Sequence, residues 1–418
     1  MTSKKLLIFG PEISGFNHGL HQAVTSSGHV CKVVSVGPNE FRYGHLDSGY
    51  PRGSSKSMGL FVATARSLFR RAKAIWLSFF WADAILYISG STPTTTFLEP
   101  KILKALLNRR LNFLFHGSDA RPPYLNGARH KEGMPADWES IKDQTERIKR
   151  LVEKVESTGG KIFAYPGISH FFSETFVDWQ VLGMPIADSA LMKSESTKSE
   201  KNLPLTTRIL HSPSNPNAKG TEFVRAAILQ LQDEGFDIEY SELQGVPNSV
   251  VRSAVSQADI AIDQLYCDRP GAAFSLECIS AGVLCIVGSP HADWLKNHYR
   301  HSKIQPCYLI DPGDLVQSLR HYLQNPVERT ELASHLHSAA NIDFSPEKLG
   351  AKWVSAIFYE PPLDAYLNPF NLDSEMGGFA SKAHLAGLVR GIVREYGVGA
   401  LGLEHNPALQ ERVLRLSK

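Results

Sequence analysis

At roughly 150 residues per domain, a chain of 418 residues exceeds one ordinary core and predicts two domains with some excess. A formal net charge of +2, with 21% charged and 43% hydrophobic residues, describes an ordinary globular composition and excludes a chain-wide nucleic-acid footprint. The start MTSKKLLIFG offers only a four-residue apolar run, too short for a secretory leader, and the five cysteines (Cys31, Cys267, Cys278, Cys285, Cys307) include no CxxC pair; they read as core thiols of a cytoplasmic protein.

Residues 5–10 (KLLIFG) form the continuous apolar run of a buried parallel strand and lead into a Gly-Pro turn and a helix that ends near Ser27-Gly28. VCKVVSV at 30–36 completes a βαβ unit. The longest apolar stretch, 72–89, is interrupted by Lys73 and Asp83 and reads as a buried helix followed by the strand AILYIS (84–89), not a membrane span. Strands LNFLFH (111–116) and KIFAY (161–165) follow, with helical patterns at 96–107 and 137–157, an alternation that specifies a mostly parallel, doubly wound sheet. This first Rossmann-like domain is expected over 1–187. The Ser-, Lys- and Glu-rich run DSALMKSESTKSEKNLP then suits an exposed linker, 188–205.

A second alternation gives strand RILH (208–211), helix 221–233, strand DIEYS (237–241), helix 249–256, strand IAI (260–262), helix 274–281 and strand LCIVG (284–288). With helices at 312–323, 326–339 and 346–357 it makes a second Rossmann-like α/β domain, 206–357. Beyond Pro361-Pro362, helices at 379–395 and 406–416 form an extension, 358–418, expected to return to the first domain. Two such sheets bind ligands at the carboxyl ends of their strands, across the cleft between them.

Two segments at those ends carry chemistry. After RILH comes SPSNPNAKGTEF, in which Lys219-Gly220-Thr221 opens a helix; exposed N–H groups, the helix dipole, the lysine charge and the small Gly220 favour a phosphate there, and a simply capped helix with a solvated lysine is the plainer alternative. The pattern is not a Walker loop. The second segment runs from Asp263 and Gln264 through Arg269 into PGAAFSLECISAG, where the first helical turn again points N–H groups outward and Glu277 is placed to accept hydrogen bonds from ribose hydroxyls, unless it only complements the helix dipole.

Together, HSPSNPNAKGTEFVRAAI and PGAAFSLECISAGVLCIV resemble the diphosphate-binding loop and the donor-binding helix and strand of retaining GT-B glycosyltransferases of the group 1 (family four) class. The resemblance covers about 205–290 and implies a metal-independent transfer of a hexosyl-type sugar, with retention, from a UDP- or GDP-sugar to a glycan or lipid-linked acceptor in glycan or glycolipid synthesis. No cofactor is implied beyond that donor. Lys219, with Asn215 and Gly220 in the same loop, would bind the diphosphate, and Ala273 and Phe274 would complete its cradle. Glu277 would hold the ribose and Val246, in LQGVPN, the base. Two departures stand out. Arg269 occupies the position where the family often has a carboxylate near the donor sugar, leaving Asp263 and Asp268 both as candidates for its replacement. Ser214 and Asn215 stand where an arginine often precedes the lysine.

In the first domain, HGSDAR places His116, Asp119 and Arg121 at a strand end where an acceptor belongs, and the resemblance puts a histidine near the transferring sugar; His116, Lys219 and Glu277 are the expected catalytic set. GPEISG at 10–15, ending in Gly15, looks like the family's first glycine-rich loop and is not GxGxxG. His18/His21 and His335/His337 read as solvated helix positions, so no metal is expected. RSLFRRAKAIWLSFFW (66–81) is basic and aromatic. It is preferred as a domain helix with one solvated face, while a peripheral contact at the inner membrane face stays open. Three rival functions are kept in view: a non-catalytic GT-B-like nucleotide-sugar or glycan binding protein, an epimerase or phosphorylase, and a nicotinamide oxidoreductase.

Overall fold

The computed structural model describes residues 2–36, 58–94, 96–130, 132–185, 206–300, 308–343 and 345–417; the expected linker at 188–205 and Cys307 lie outside them. The first sheet is built from β1 (Lys5–Gly10), β2 (Val30–Ser35), β3 (Ala84–Ile88), β4 (Arg110–Leu114), β5 (Lys161–Ala164), β6 (Phe176–Asp178) and a late strand. The second contains β7 (Thr207–His211), β8 (Ile238–Glu242), β9 (Ile260–Ile262), β10 (Leu284–Gly288) and β11 (Tyr308–Ile310), and the late strand is β12 (Tyr366–Leu367). Their orders are β12-β6-β5-β4-β3-β1-β2 and β11-β10-β9-β7-β8. Every neighbouring pair is parallel except β12, which runs antiparallel to β6.

The interior strands read as unbroken apolar runs because helices cover both faces of a parallel sheet: Leu6, Leu7, Ile8 and Phe9 of β1 and all five residues of β3 are without solvent contact. Each sheet reverses its winding once, at β1/β3 in the first and β7/β9 in the second. At the first of these points Gly10 has φ +142°, and a Cβ there would sit 2.7 Å from the Ile88 Cβ, so the carboxyl ends of β1 and β3 close up only around glycine.

The C-terminal helices do return to the first core: Leu388, Val389 and Ile392 of helix Lys382–Tyr396 and Leu409 and Val413 of helix Pro407–Leu416 are buried in it. The return begins earlier than 358. Helix Pro346–Phe358, placed with the second domain on periodicity, buries Trp353, Val354 and Ile357 in the first core and only Leu349 in the second. Trp353 meets the Phe163 ring at 5.5 Å and the Phe16 ring at 5.4 Å, and its indole N–H donates to Gly183 O at 2.9 Å. Periodicity says that a helix face is buried and not which of two sheets buries it.

Helix Met58–Phe80 also departs from expectation. Ala74, Leu77 and Ser78 are buried, but the opposite face leaves Leu68, Phe69, Trp76 and Phe80 exposed by 63, 72, 57 and 74%. No helix among the described residues is long and apolar enough to cross a membrane. Cys31, Cys267, Cys278 and Cys285 are buried free thiols.

Candidate active site

At the β7/β9 reversal, the carboxyl ends of two adjacent strands deliver their following segments to the same place, which opens a crevice between them. A cavity of about 210 Å³ occupies it. Ser212, Ser214 and Lys219 come from the segment after β7, Gln264 and Arg269 from the segment after β9, Leu243 and Val246 from the loop after β8, and Asn248 from the start of the helix that follows it, Asn248–Val255. The start of helix Ala273–Ser280 supplies Ala273, Phe274 and Glu277, the first domain contributes Ser14, and the C-terminal extension contributes Phe379.

Helix Ala273–Ser280 presents its amino end to this space. Ser275 Oγ accepts from the Ala272 N–H at 2.8 Å, and the first intrahelical donor is the Leu276 N–H, to Ala272 O at 3.2 Å. The N–H groups of 273–275 therefore project from the helix end, the arrangement that favours an anion. At the other end of the lining, both Glu277 carboxylate oxygens accept from the Asn248 side-chain amide, at 3.0 and 3.3 Å. Burial pushes that carboxyl up to about 7, against the lowering effect of Asn248.

Lys219 does not open a long helix. It ends the short helix Pro216–Lys219, whose cap is Asn215, the side chain accepting from the Ala218 N–H at 3.3 Å. Gly220, at φ +73°, joins this turn to helix Thr221–Asp233, and a Cβ on it would lie 3.0 Å from Leu265 and 3.1 Å from Tyr266. Gly220 thus serves close packing on 265–266 and a left-handed joint, and Asn215 caps the short helix. The lysine ammonium still reaches the cavity, held 2.6 Å from Asp263 Oδ1, with Asp263 fully buried behind it.

By sequence, the chain matches no family model and no curated protein. By structure, the catalytic domain of starch synthase IV from Arabidopsis thaliana, solved bound to ADP and acarbose, aligns over 85% of this chain and 99% of its own, with TM-score 0.50 and 12% identity. The chain has the GT-B fold. A glycosyltransferase from Rickettsia africae aligns over 85% of this chain and 98% of its own (13% identity, TM-score 0.46), and the Anabaena protein HepE in complex with UDP over 85% and 99% (10% identity, TM-score 0.45). At such identities the likeness speaks to fold alone.

Of the residues picked out by sequence, this GT-B cavity collects Lys219, Val246, Arg269, Ala273, Phe274 and Glu277. Gly15 is one residue from the lining, beside Ser14, and Asp263 stands behind Lys219. His116, Asp119 and Arg121 do not line it. The Asp119 carboxylate accepts from the backbone N–H groups of His116 (3.1 and 3.0 Å) and Gly117 (2.8 Å), so it fixes the turn after β4. Arg121 is fully buried and paired with Asp268 of the second domain, a contact that Tyr165 flanks with its hydroxyl 3.4 Å from the carboxylate. In this arrangement Arg121 and Asp268 engage each other, as Lys219 and Asp263 do.

The His116 ring is packed edge-on to Phe16 at 4.7 Å, and among the described residues neither ring nitrogen has a hydrogen-bond partner. Burial, with Arg269 adding to it and Asp119 opposing, pushes the imidazole down to about 4, so it is neutral at pH 7. In the 10–15 loop, Glu12 accepts from the Asn17 N–H at 3.1 Å and is pushed up to about 7 by burial, occupying the amino end of helix Phe16–Ser26 with the protein's own carboxyl. His337, expected to be solvated, has Nδ1 3.0 Å from Ile279 O and Nε2 2.8 Å from Asn341. Sequence reasoning passed over Asn248, although it ends the LQGVPN segment that was singled out. Nothing local marks Phe379, which reaches the cavity through a left-handed φ of 65° and a 2.8 Å bond from its N–H to Tyr266 O.

Proposed function

We propose that the chain transfers a hexosyl-type sugar from a UDP- or GDP-sugar to an acceptor hydroxyl, with retention, in the manner of the group 1 GT-B enzymes that its second half resembles. The observation that carries this reading is one cavity holding Lys219, the amino end of helix Ala273–Ser280 and Glu277. A nucleoside diphosphate needs those two things in that order, positive potential for its phosphates and a carboxylate for the ribose diol. As the anomeric carbon leaves the phosphate, negative charge grows on the leaving oxygen, and a preorganised ammonium with helix N–H groups lowers the barrier without reorganising. The acceptor approaches from the first-domain side, where Ser14 lines the cavity and a neutral His116 lies close to Arg269. Phe69, Trp76 and Phe80, flanked by Arg66 and Lys73, give that domain a face suited to a membrane carrying a lipid-linked acceptor.

Thermal stability against UDP-, GDP- and ADP-sugars, with NAD as control, tests the donor site in wild type and Lys219→Ala. A ligand at about 100 times its dissociation constant adds roughly 2.7 kcal/mol. Selective stabilisation by one nucleotide-sugar class, lost in Lys219→Ala, is the expected result. Stabilisation without turnover over any acceptor identifies a binding protein, and stabilisation by none removes the donor site.

A further inference from the structure

The arginines and the lysine around the cleft differ in what neutralises them. Lys219 sits on Asp263, and Arg121 sits on Asp268. Arg269 follows Asp268 in the chain and lines the cavity, yet among the described residues it forms no ion pair. Its guanidinium carbon lies 5.6 Å from the Tyr165 ring centre and 5.8 Å from that of Trp179, and Nη1 donates to His116 O at 3.4 Å. Two aromatic faces and a carbonyl fix the plane and direction of a guanidinium without putting a carboxylate in contact with it, and Asp268, the acid whose charge acts on it, is already engaged by Arg121. A cation held that way, partly withdrawn from water, is stabilised when an anion enters.

We infer that Arg269 binds an anionic oxygen pair of the donor, making it the second cation of the cleft alongside Lys219. The inference rests on the donor-site reading above and goes further in stating the charge of the ligand at this position. An arginine fork matches either of two sources, the diphosphate or the carboxylate of a uronic-acid sugar, since both offer two coplanar acceptor oxygens. The first source makes Arg269 a substitute for the arginine absent at Ser214-Asn215. The second makes it a selector of acidic over neutral sugars.

Calorimetric titration of wild type, Arg269→Gln and Arg269→Lys separates these. The probes are UDP, GDP and ADP, the parent nucleosides, and neutral against acidic sugar nucleotides: UDP-glucose with UDP-glucuronate, GDP-mannose with GDP-mannuronate. If the diphosphate is the partner, Arg269→Gln weakens the preferred nucleoside diphosphate by about 10- to 100-fold, its nucleoside is unaffected, and Arg269→Lys recovers part of the loss. If the sugar carboxylate is the partner, the diphosphate is unaffected and the same loss falls on the uronic sugar nucleotide alone. Unchanged affinities throughout, or an equal fall for nucleoside and diphosphate, make Arg269 a packing residue and overturn the inference while the donor site stands. Failure of wild type to bind any of the nucleotides removes the donor site and the inference with it.

Discussion

Burial raises the Glu277 carboxyl to about 7, so at neutral pH the group that is to hold a ribose is close to half protonated. An ionised carboxylate accepts from both hydroxyls of a diol, whereas the protonated form turns one of its oxygens into a donor and loses the charge, so tight binding displaces the proton below that value. Affinity for the nucleoside is expected to rise about tenfold from pH 6 to pH 8 and to level off above, following the ionised fraction of an acid with this pKa. Glu277→Gln, titrated by calorimetry over the same range, is expected to bind more weakly and without the slope. A wild-type profile that is flat, with the variant equally tight, would take Glu277 away from the ribose. At this scale the sequence was informative where a residue stands in a contiguous motif: Lys219, Val246 and Glu277, each picked out that way, line one cavity. It was silent where charge state depends on a partner far along the chain. Arg121 looked like an acceptor-side cation in HGSDAR, and only folding brings Asp268 to it across 147 positions.

Element boundaries were readable to within a few residues wherever an apolar run or period was long, as in β1, β10 and helix Thr221–Asp233. The three-residue strands β6 and β11 and the two-residue β12 carry no usable period and were not foreseen, whereas β9, equally short, was read from its unbroken apolar run IAI. Helix Met58–Phe80 shows a subtler failure. Of its four basic residues in 66–73, Arg70 donates to Ser35 O at 3.3 Å and Arg71 to Thr92 O and Pro93 O at 3.1 and 3.0 Å, so they tie the helix to its own domain. Arg66 and Lys73 remain exposed, beside Phe69, Trp76 and Phe80. Each large apolar side chain gains about 1.5–3 kcal/mol on full burial, and each basic residue about 1 kcal/mol near an anionic surface. Co-sedimentation is therefore expected with vesicles containing phosphatidylserine and to be weak with phosphatidylcholine alone, to fall with added salt, and to disappear in Phe69→Ser/Trp76→Ser/Phe80→Ser. Absence of vesicle binding by wild type at low salt would leave this stripe with no lipid role.

Across the whole molecule, the two sheets are held together by buried polar contacts that neither domain could satisfy alone. Besides the Arg121–Asp268 pair, the Tyr299 hydroxyl donates to Asp178 Oδ2 at 2.8 Å, and the 378–379 segment donates backbone N–H groups to Leu125 O at 3.0 Å and to Tyr266 O at 2.8 Å, one in each domain. The ion pair is the most consequential, because Asp268 also lies beside Arg269, so one carboxylate serves two buried cations. Removing it leaves both guanidinium groups uncompensated. Asp268→Leu is expected to destabilise the protein by about 3–5 kcal/mol, read as a lowered urea midpoint, whereas Arg121→Met/Asp268→Leu is expected to recover most of that loss, since an apolar pair of similar volume avoids the desolvation of both charges. Full recovery would mean that the pair specifies how the sheets meet more than it stabilises them. If instead the double variant is as unstable as the single one, the burden lies with Arg269, whose nearest carboxylate is gone in both, and the cleft cation rather than the interdomain latch is what Asp268 supports.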